Sequence, residues 1–390
     1  MNKYNTSHLP APTQPQPKVV LVTDWLTNMG GAEPLLLELH SIFPDAPIYT
    51  SVYDAQKMPA FKGIDIRTTH LQKTLPRFVR YKHILWPVLR AYAFRKLDLS
   101  EYDIIISTSS AESKAVRKTR PDQVHIAYIH TPIRYYWSHY QEFKREFSFG
   151  KLTPLIRPII PPFVRWMRRL DLDSINDIDT FIANSTITQS RIKNYYHKPS
   201  TIIHPPVDVD RFTPAPHTDR HGFIMWGRHV PYKRFDLAIA ACNALKKDLT
   251  IIGSGPDTDR LKKLAGPTIH FVGRVSDNEL VDHAQHAQAF MMPNEEDFGI
   301  AAVEALAAGT PVIGYAKGGV LDIVDDGETG VLFHNQTVES LTDAIMAFEK
   351  LSFLPATLHR RAKRFDKSLF HTKIQKIVRD IENQSTDLKP

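Results

Sequence analysis

Short apolar runs recur along the 390-residue chain, each closed by small or polar residues and followed by a stretch with helical spacing. Residues 18–25 (KVVLVTDW) form a β-branched run that leads into NMGGAEP, the pattern of a buried strand, a glycine-rich turn and a helix start. Pro34 falls in the first helical turn, where proline is tolerated, and Leu35, Leu36, Leu37 and Leu39 continue an apolar helix. Residues 102–110 (YDIIISTSS), 124–130 (VHIAYIH), 180–185 (TFIANS) and 201–208 (TIIHPPVD) read as further strands. The second half repeats this pattern more clearly. Strands are predicted at 221–228, 248–255, 268–275, 287–293, 310–316 and 329–334, with a helix over 232–247 and helical segments between the later strands. Strands alternating with helices predict an α/β fold with parallel sheets. The paired prolines Pro205 and Pro206 mark a break between halves spanning 18–205 and 206–368. An amphipathic helix is expected over 369–382, within a last segment of 369–390, and residues 1–17 read as a polar, proline-rich disordered tail.

Composition narrows the class. Hydrophobic residues make up 42% and charged residues 23%, the balance of a soluble globular protein. The single cysteine, Cys242, lies in an apolar helical stretch and excludes an internal disulfide framework. The opening residues lack the apolar core of a signal peptide, and no run approaches the ~20 apolar residues of a membrane span. A cytoplasmic location is therefore expected. The net charge of +7 favours acidic partners: nucleotides, phosphates, nucleic acid or an anionic membrane. Its placement is informative. Lys73, Arg77, Arg80, Lys82, Arg90, Arg95 and Lys96 follow one another with no acid between them, interleaved with Phe78, Tyr81, Trp86, Tyr92 and Phe94. A second stretch sets Arg157, Arg165, Arg168 and Arg169 among Ile156, Ile159, Ile160, Phe163 and Trp166. Such mixtures suit a surface helix on an anionic membrane, or an ordinary helix with solvated cations over a buried stripe. No nucleic-acid-binding motif accompanies them, so nucleic acid is not expected as a partner. No His or Cys cluster has metal-ligand spacing, and no metal is expected.

Four segments carry candidate chemistry. In NEEDFGIAAVEALAAGTPVIGYAKGG (294–319), Glu296 precedes an alanine-rich helix that opens at Phe298-Gly299, and Glu304 lies a turn inside it. Backbone N–H groups at such a helix start can bind an anion. The Glu304 carboxylate can accept hydrogen bonds from two vicinal hydroxyls. By themselves, two acids near a helix start are more simply explained as surface acids favoured by the helix dipole. In WGRHVPYKR (226–234), Arg228 and Lys233 bracket a loop after a strand and can neutralise a diphosphate, although loop cations are commonly just solvated. Gly30 and Gly31, between a strand and a helix, let a phosphate approach the backbone, but they are not the G-x-G-x-x-G dinucleotide fingerprint. Gly253 and Gly255 read as turn glycines. In YIHTPIRYYW (128–137), His130 ends a strand and would face the ligand crevice of an open α/β sheet.

The order of these motifs resembles the retaining GT-B glycosyltransferases of family 4, the group 1 type. From residue 18 to 370 the chain carries GG after the first strand, H-T-P-x-R-Y-x-W, N-S, G-R-x-x-x-x-K, G-S-G and E-x7-E in sequence. Pro34 and Ala302 depart from residues common in the family, at positions without chemistry. The resemblance implies two Rossmann-like domains facing each other across a cleft, an N-terminal one for the acceptor and a C-terminal one for the nucleotide sugar. The last helix would cross back to the first domain. Glu304 would bind the ribose and Glu296 the donor sugar. Arg228 and Lys233 would hold the diphosphate and assist its departure, and His130 would lie near the reacting carbon. Gly30 and Gly31 would close on the phosphates, Gly299 and Ile300 would offer N–H groups, and Arg274 and Val275 belong to the loop that meets the base. Asn184 and Ser185 would line the cleft. No cofactor beyond the sugar-nucleotide donor is implied, and the diphosphate itself would help deprotonate the incoming hydroxyl. The Y-x-H-T-P-x-R-Y-x-W and E-E-D-F-G wording resembles bacterial mannosyltransferases of O-antigen and exopolysaccharide assembly. That favours GDP-mannose over a UDP-hexose, with a glycan or polyprenyl-diphosphate-linked saccharide as acceptor. The enzyme would then be peripheral on the inner face of the plasma membrane. A sugar-nucleotide 2-epimerase shares the fold, but leaves E-x7-E beside G-R-x-x-x-x-K unexplained.

Overall fold

The computed structural model describes residues 17–81, 83, 86–141, 144, 153, 157–215 and 219–387. The tail expected over 1–17 lies outside these residues, apart from Pro17, as do Lys82, Ile156 and the side chain of Phe78 in the basic stretches. The first sheet contains β1 (Val19–Thr23), β2 (Ile48–Thr50), β3 (Ile66–Thr68), β4 (Ile104–Ser109), β5 (Val124–Ile129), β6 (Thr180–Ala183) and β7 (Thr201–Ile202), in the order β3-β2-β1-β4-β5-β6-β7. The second contains β8 (Phe223–Trp226), β9 (Leu249–Ile252), β10 (Ile269–Gly273), β11 (Ala289–Met292), β12 (Val312–Tyr315) and β13 (Gly330–Phe333), in the order β10-β9-β8-β11-β12-β13. Every pairing in both sheets is parallel.

The apolar runs explain this architecture. Val19 to Val22 are buried, as are Ile104, Ile105 and Ile106, because helices cover both faces of a parallel sheet. All six strands expected in the second half are present. In the first half β2 and β3 were not legible. They are three residues each, too short to show a period, and they sit on the outer side of β1. The strand expected over 201–208 narrows to β7, since Pro205 and Pro206 offer no N–H to a ladder. Cys242 is fully buried in the helix Phe235–Leu245.

The helices that matter below are α1 (Ala32–Ile42), α2 (Pro87–Arg95), α3 (Ile160–Asp173), α4 (Thr186–Tyr196), α5 (Ile300–Ala307) and α6 (Lys367–Asp387). Helix α6 follows the second sheet in sequence but packs on the first. Phe370, Ile374 and Val378, on one helical face, join a core with Val19, Leu21, Leu35, Leu39 and Tyr128. His371 adds a 2.7 Å contact to Glu38 of α1.

Both sheets reverse their winding at equivalent places, between β1 and β4 and between β8 and β11. Ligands of open α/β sheets bind at such switch points, beyond the carboxyl ends of the strands. The segments after β1, β5, β8 and β11 hold most of the candidate residues, while Asn184 and Ser185 follow β6 and Arg274 and Val275 follow β10. The two halves touch directly: the Thr186 N–H donates to Asp322 Oδ2 at 2.7 Å, and His204 stacks on Phe298 at 5.3 Å.

Candidate functional site

The loop after β8 closes on the loop after β9. A β-carbon on Gly253, whose φ is +117°, would lie 2.0 Å from the Gly227 carbonyl oxygen. This glycine is required by a close backbone approach. The contact holds the Arg228–Lys233 segment in place. Lys233 Nζ folds back beside Gly227 and donates to Glu296 Oε1 at 2.7 Å. Asn294 Nδ2 donates to the same oxygen at 3.1 Å. Burial works against the Lys233 ammonium, but Glu296 outweighs it and holds the proton more tightly than in a free lysine. Arg228 is exposed and makes no hydrogen bond or ion pair among the described residues.

Glu304 lies in α5, whose first residue follows Gly299. Gly299 adopts a φ of +107°, so the chain turns sharply into the helix just before Ile300. Glu304 Oε2 accepts a 3.2 Å hydrogen bond from Trp226 Nε1 at the end of β8. Its other oxygen lies 3.6 Å from Arg211. Burial is the dominant influence and raises the Glu304 carboxyl to about 7, with Trp226 and Arg211 opposing. The carboxylate is thus desolvated and only partly satisfied. Arg274 is exposed and donates to Ser254 Oγ at 3.1 Å, and Val275 packs half-buried against the domain core.

From the first half, His130 follows β5. Burial lowers its imidazole to about 4, with Asp24 and Asp297 opposing, and its Nε2 is enclosed without a hydrogen-bond partner. Gly30 and Gly31 are exposed before α1, and neither has a left-handed φ. A β-carbon on Gly31 would meet nothing within 4 Å, so the fold itself does not require this glycine. Ser185 is buried and caps α4, accepting from Thr188 N at 3.3 Å, and its Oγ also reaches the Asp297 carbonyl. Its hydroxyl is committed to protein partners rather than presented to a ligand. Asn184 is buried beside it.

The chain matches two family descriptions, Glycosyltransferase Family 4 over residues 29–211 and glycosyl transferases group 1 over residues 207–365. It belongs to the group 1 glycosyltransferases of family 4. The GDP-mannose-dependent alpha-(1-6)-phosphatidylinositol monomannoside mannosyltransferase of Mycobacterium tuberculosis is 31% identical over 200 residues, 43% of this chain and 51% of that protein. The D-inositol 3-phosphate glycosyltransferase of Mycolicibacterium smegmatis is 29% identical over 211 residues, 48% of each chain. The chain therefore spans about half the length of the curated relatives it matches. HepE of Anabaena, solved with UDP, superposes with a TM-score of 0.69 at 16% identity, over 93% of this chain and all of that one. Sucrose-phosphate synthase of Thermosynechococcus elongatus gives 0.69 at 17%, over 94% and 100%. At these identities the likeness establishes the fold, GT-B.

In this family 4 glycosyltransferase the two halves are tied together beside Glu296 through an acid that the sequence analysis left without a role. Asp297, next to Glu296, takes ion pairs from Arg134 and from Arg191 of α4, both in the first half. Arg191 also reaches Glu295 at 2.6 Å, and Lys317 approaches Glu295 at 3.5 Å. Arg134 lies over the Tyr232 ring, beside Lys233. The signal was present, because Arg134 is the arginine of H-T-P-I-R and Asp297 the third acid of E-E-D-F-G. Their pairing needs both halves in place. Arg211 and Trp226 around Glu304 were likewise not singled out.

Proposed function

We propose that this glycosyltransferase is a retaining hexosyltransferase that uses a sugar nucleotide, with mannose from GDP-mannose favoured. Its acceptor is a glycan or polyprenyl-diphosphate-linked saccharide in cell-surface polysaccharide synthesis. The observation that carries the reading is the meeting of two half-buried carboxylates at the end of β8: Glu304 on Trp226, and Glu296 on Lys233 beside Gly227. In this reading the second half binds the nucleotide. Ribose hydroxyls donate to Glu304, whose desolvated oxygens have little water to give up. Arg228 and Lys233, with the N–H groups of Gly299 and Ile300, hold the diphosphate and stabilise its charge as it leaves. Glu296 exchanges part of its contact with Lys233 for hydroxyls of the sugar. His130, kept neutral near pH 7 by burial, offers its unpartnered Nε2 from the facing half. A diphosphate oxygen takes the proton of the incoming hydroxyl on the face from which the diphosphate departs, so the configuration is retained. The first half supplies the acceptor surface, and the cytoplasmic side of the membrane is the place of action.

The choice of GDP-mannose draws support from the relative named as GDP-mannose-dependent. A UDP-hexose is the second reading, favoured by HepE, whose structures carry UDP and UDP-glucose. A thermal-shift panel of GDP, UDP, ADP, GDP-mannose and UDP-glucose separates them. A ligand confined to the folded state adds about 2.7 kcal/mol at a hundred times its Kd. Stabilisation by the guanine compounds alone supports the first reading, stabilisation by the uracil compounds alone supports the second, and none at all overturns the donor site.

A further inference from the structure

The short turn Val209–Phe212 lies on the segment that leads from β7 to β8, and that segment is fixed at several points. Val207 pairs with Asp366 in an isolated parallel bridge, and its carbonyl accepts from the Lys367 N–H at 3.0 Å. Lys367 Nζ reaches Asp208 Oδ2 at 2.8 Å. Val209 and Phe212 are fully buried, in the core that also holds Trp226 and Val303. Arg211 is therefore carried on an anchored backbone, with its guanidinium 4.6 Å from the centre of the Phe212 ring. From there it spans two carboxylates. One is Asp277 Oδ2, at 2.9 Å, in the first turn of the helix Asp277–His286 that follows Arg274 and Val275. The other is Glu304 Oε1, at 3.6 Å.

The three groups differ in their access to water. Asp277 is largely exposed, Arg211 is partly exposed and Glu304 is mostly enclosed. An enclosed carboxylate needs an opposite charge nearby to stay ionised. Among the described residues no cation other than Arg211 pairs with Glu304. The remaining charged groups on the elements packed against α5 are engaged elsewhere. In the helix Pro355–Ala362, His359 contacts the Ala307 carbonyl at 2.7 Å, Arg360 donates to Thr357 and Arg361 pairs with Glu328. Asp210 lies 3.6 Å from Lys363, and Asp322 accepts from the Thr186 N–H. The neighbouring strands β11 and β12 carry no charged residue.

We propose that Arg211 is a positioning residue for the nucleotide: shared between Asp277 and Glu304, it holds the Glu304 carboxylate ready to accept the hydroxyls of a ribose. The proposal rests on the reading of Glu304 as the ribose acid. Arg211 touches no reacting atom in this role and acts through Glu304. Its charge works against the burial that raises the Glu304 carboxyl, whereas Asp277 works with that burial. The two partners thus pull one titration in opposite directions. Exchanging either moves the pH at which the site becomes able to bind.

The test is calorimetric titration of the full chain with GDP and with UDP between pH 5 and 9, continued in the variants with whichever nucleotide binds the parent. Affinity should rise with pH to a plateau. Arg211→Gln should move the midpoint of that rise upward by about one unit, the low end for a carboxylate beside a guanidinium, because this arginine is partly solvated. Arg211→Lys keeps the charge and should bring the midpoint back toward the parent. Asp277→Asn should move it the other way, to lower pH. A midpoint that Arg211→Gln leaves in place, with affinity lost equally at every pH, overturns the proposal, for the arginine would then only brace its turn. Ligand-free denaturant melts give a second readout. Folding raises the Glu304 carboxyl, so the stability it contributes is lost as pH rises through the folded value. Arg211→Gln raises that value further, and the variant should lose more stability than the parent between pH 5 and 9. The extra loss should vanish when Glu304→Gln is already present, and its persistence there also overturns the proposal. A parent that binds neither nucleotide at any pH overturns the donor reading instead, and the melts then decide whether Arg211 governs Glu304.

Discussion

At the scale of single residues, burial decides what the candidate groups can do. Glu304 is ionised in water at neutral pH, yet the fold raises its carboxyl from 4.5 to about 7. Its folded pKa lies above its unfolded one. The resulting stability is full below about pH 4.5 and is lost as pH rises through about 7. Glu304→Gln removes this dependence. In denaturant melts without ligand, the variant should gain on the parent as pH rises from 5 to 8, by up to about 3 kcal/mol. Donor binding should move the other way, because the ionised carboxylate is the better acceptor. The parent's nucleotide affinity should tighten between pH 6 and 8 in calorimetry, while that of the variant stays weak and flat. Arg228 is the contrasting case. It is exposed and has no partner among the described residues, so Arg228→Ala should leave the melting temperature unchanged. If the arginine stabilises the departing diphosphate, turnover should fall roughly 10²–10³-fold, the usual loss for one such donor. Near-normal turnover would remove that role.

At the scale of elements, two short segments set the geometry. The turn after β9 approaches the turn after β8 so closely that no side chain fits at Gly253. Gly253→Ala should displace the Arg228–Lys233 loop and cost more in nucleotide affinity than in melting temperature, a comparison that isothermal titration and calorimetric melting provide. Helix α6 is the second. Its apolar face belongs to the core of the first sheet although its sequence follows the second. Phe370 is 2% exposed there. Phe370→Ala should destabilise the protein by about 3–5 kcal/mol, as measured by denaturant unfolding. The amphipathic spacing announced this helix, but not which sheet it would cover.

At the scale of the whole molecule, Asp297 ties the halves together. Arg191 is 7% exposed in its side chain and Asp297 14%, so loss of the carboxylate leaves a cation with little water around it. Removing one partner of such a pair costs more than the pair contributes. Asp297→Ala should widen the cleft in the absence of donor, read as a larger radius of gyration by small-angle scattering. Turnover should fall more than donor affinity, because Glu304 and its surroundings lie wholly in the second half. An unchanged scattering profile with normal turnover would show that the latch does not govern closure.

The sequence by itself determined the α/β class, the six strands of the second half, the amphipathic last helix and the positions of Glu296, Glu304, Lys233 and His130 at strand ends and a helix start. It did so because these features are local: a β-branched run, a 3.6-residue period, a glycine where the chain must turn. Strands β2 and β3 escaped it because three residues carry no period. The tertiary structure alone decided the rest. Arg134, Arg191 and Asp297 meet across more than a hundred residues of chain, and no spacing rule predicts that pairing. The conversion of Glu304 into a group that titrates near neutrality required knowing what encloses it. The separation of Arg90 of α2, buried against Glu112, and Arg168 of α3, folded onto Trp137, from the exposed Arg165 and Arg169 required knowing which helix faces were already occupied. Each of these depends on distance and desolvation, which arise only when separate elements are brought into contact.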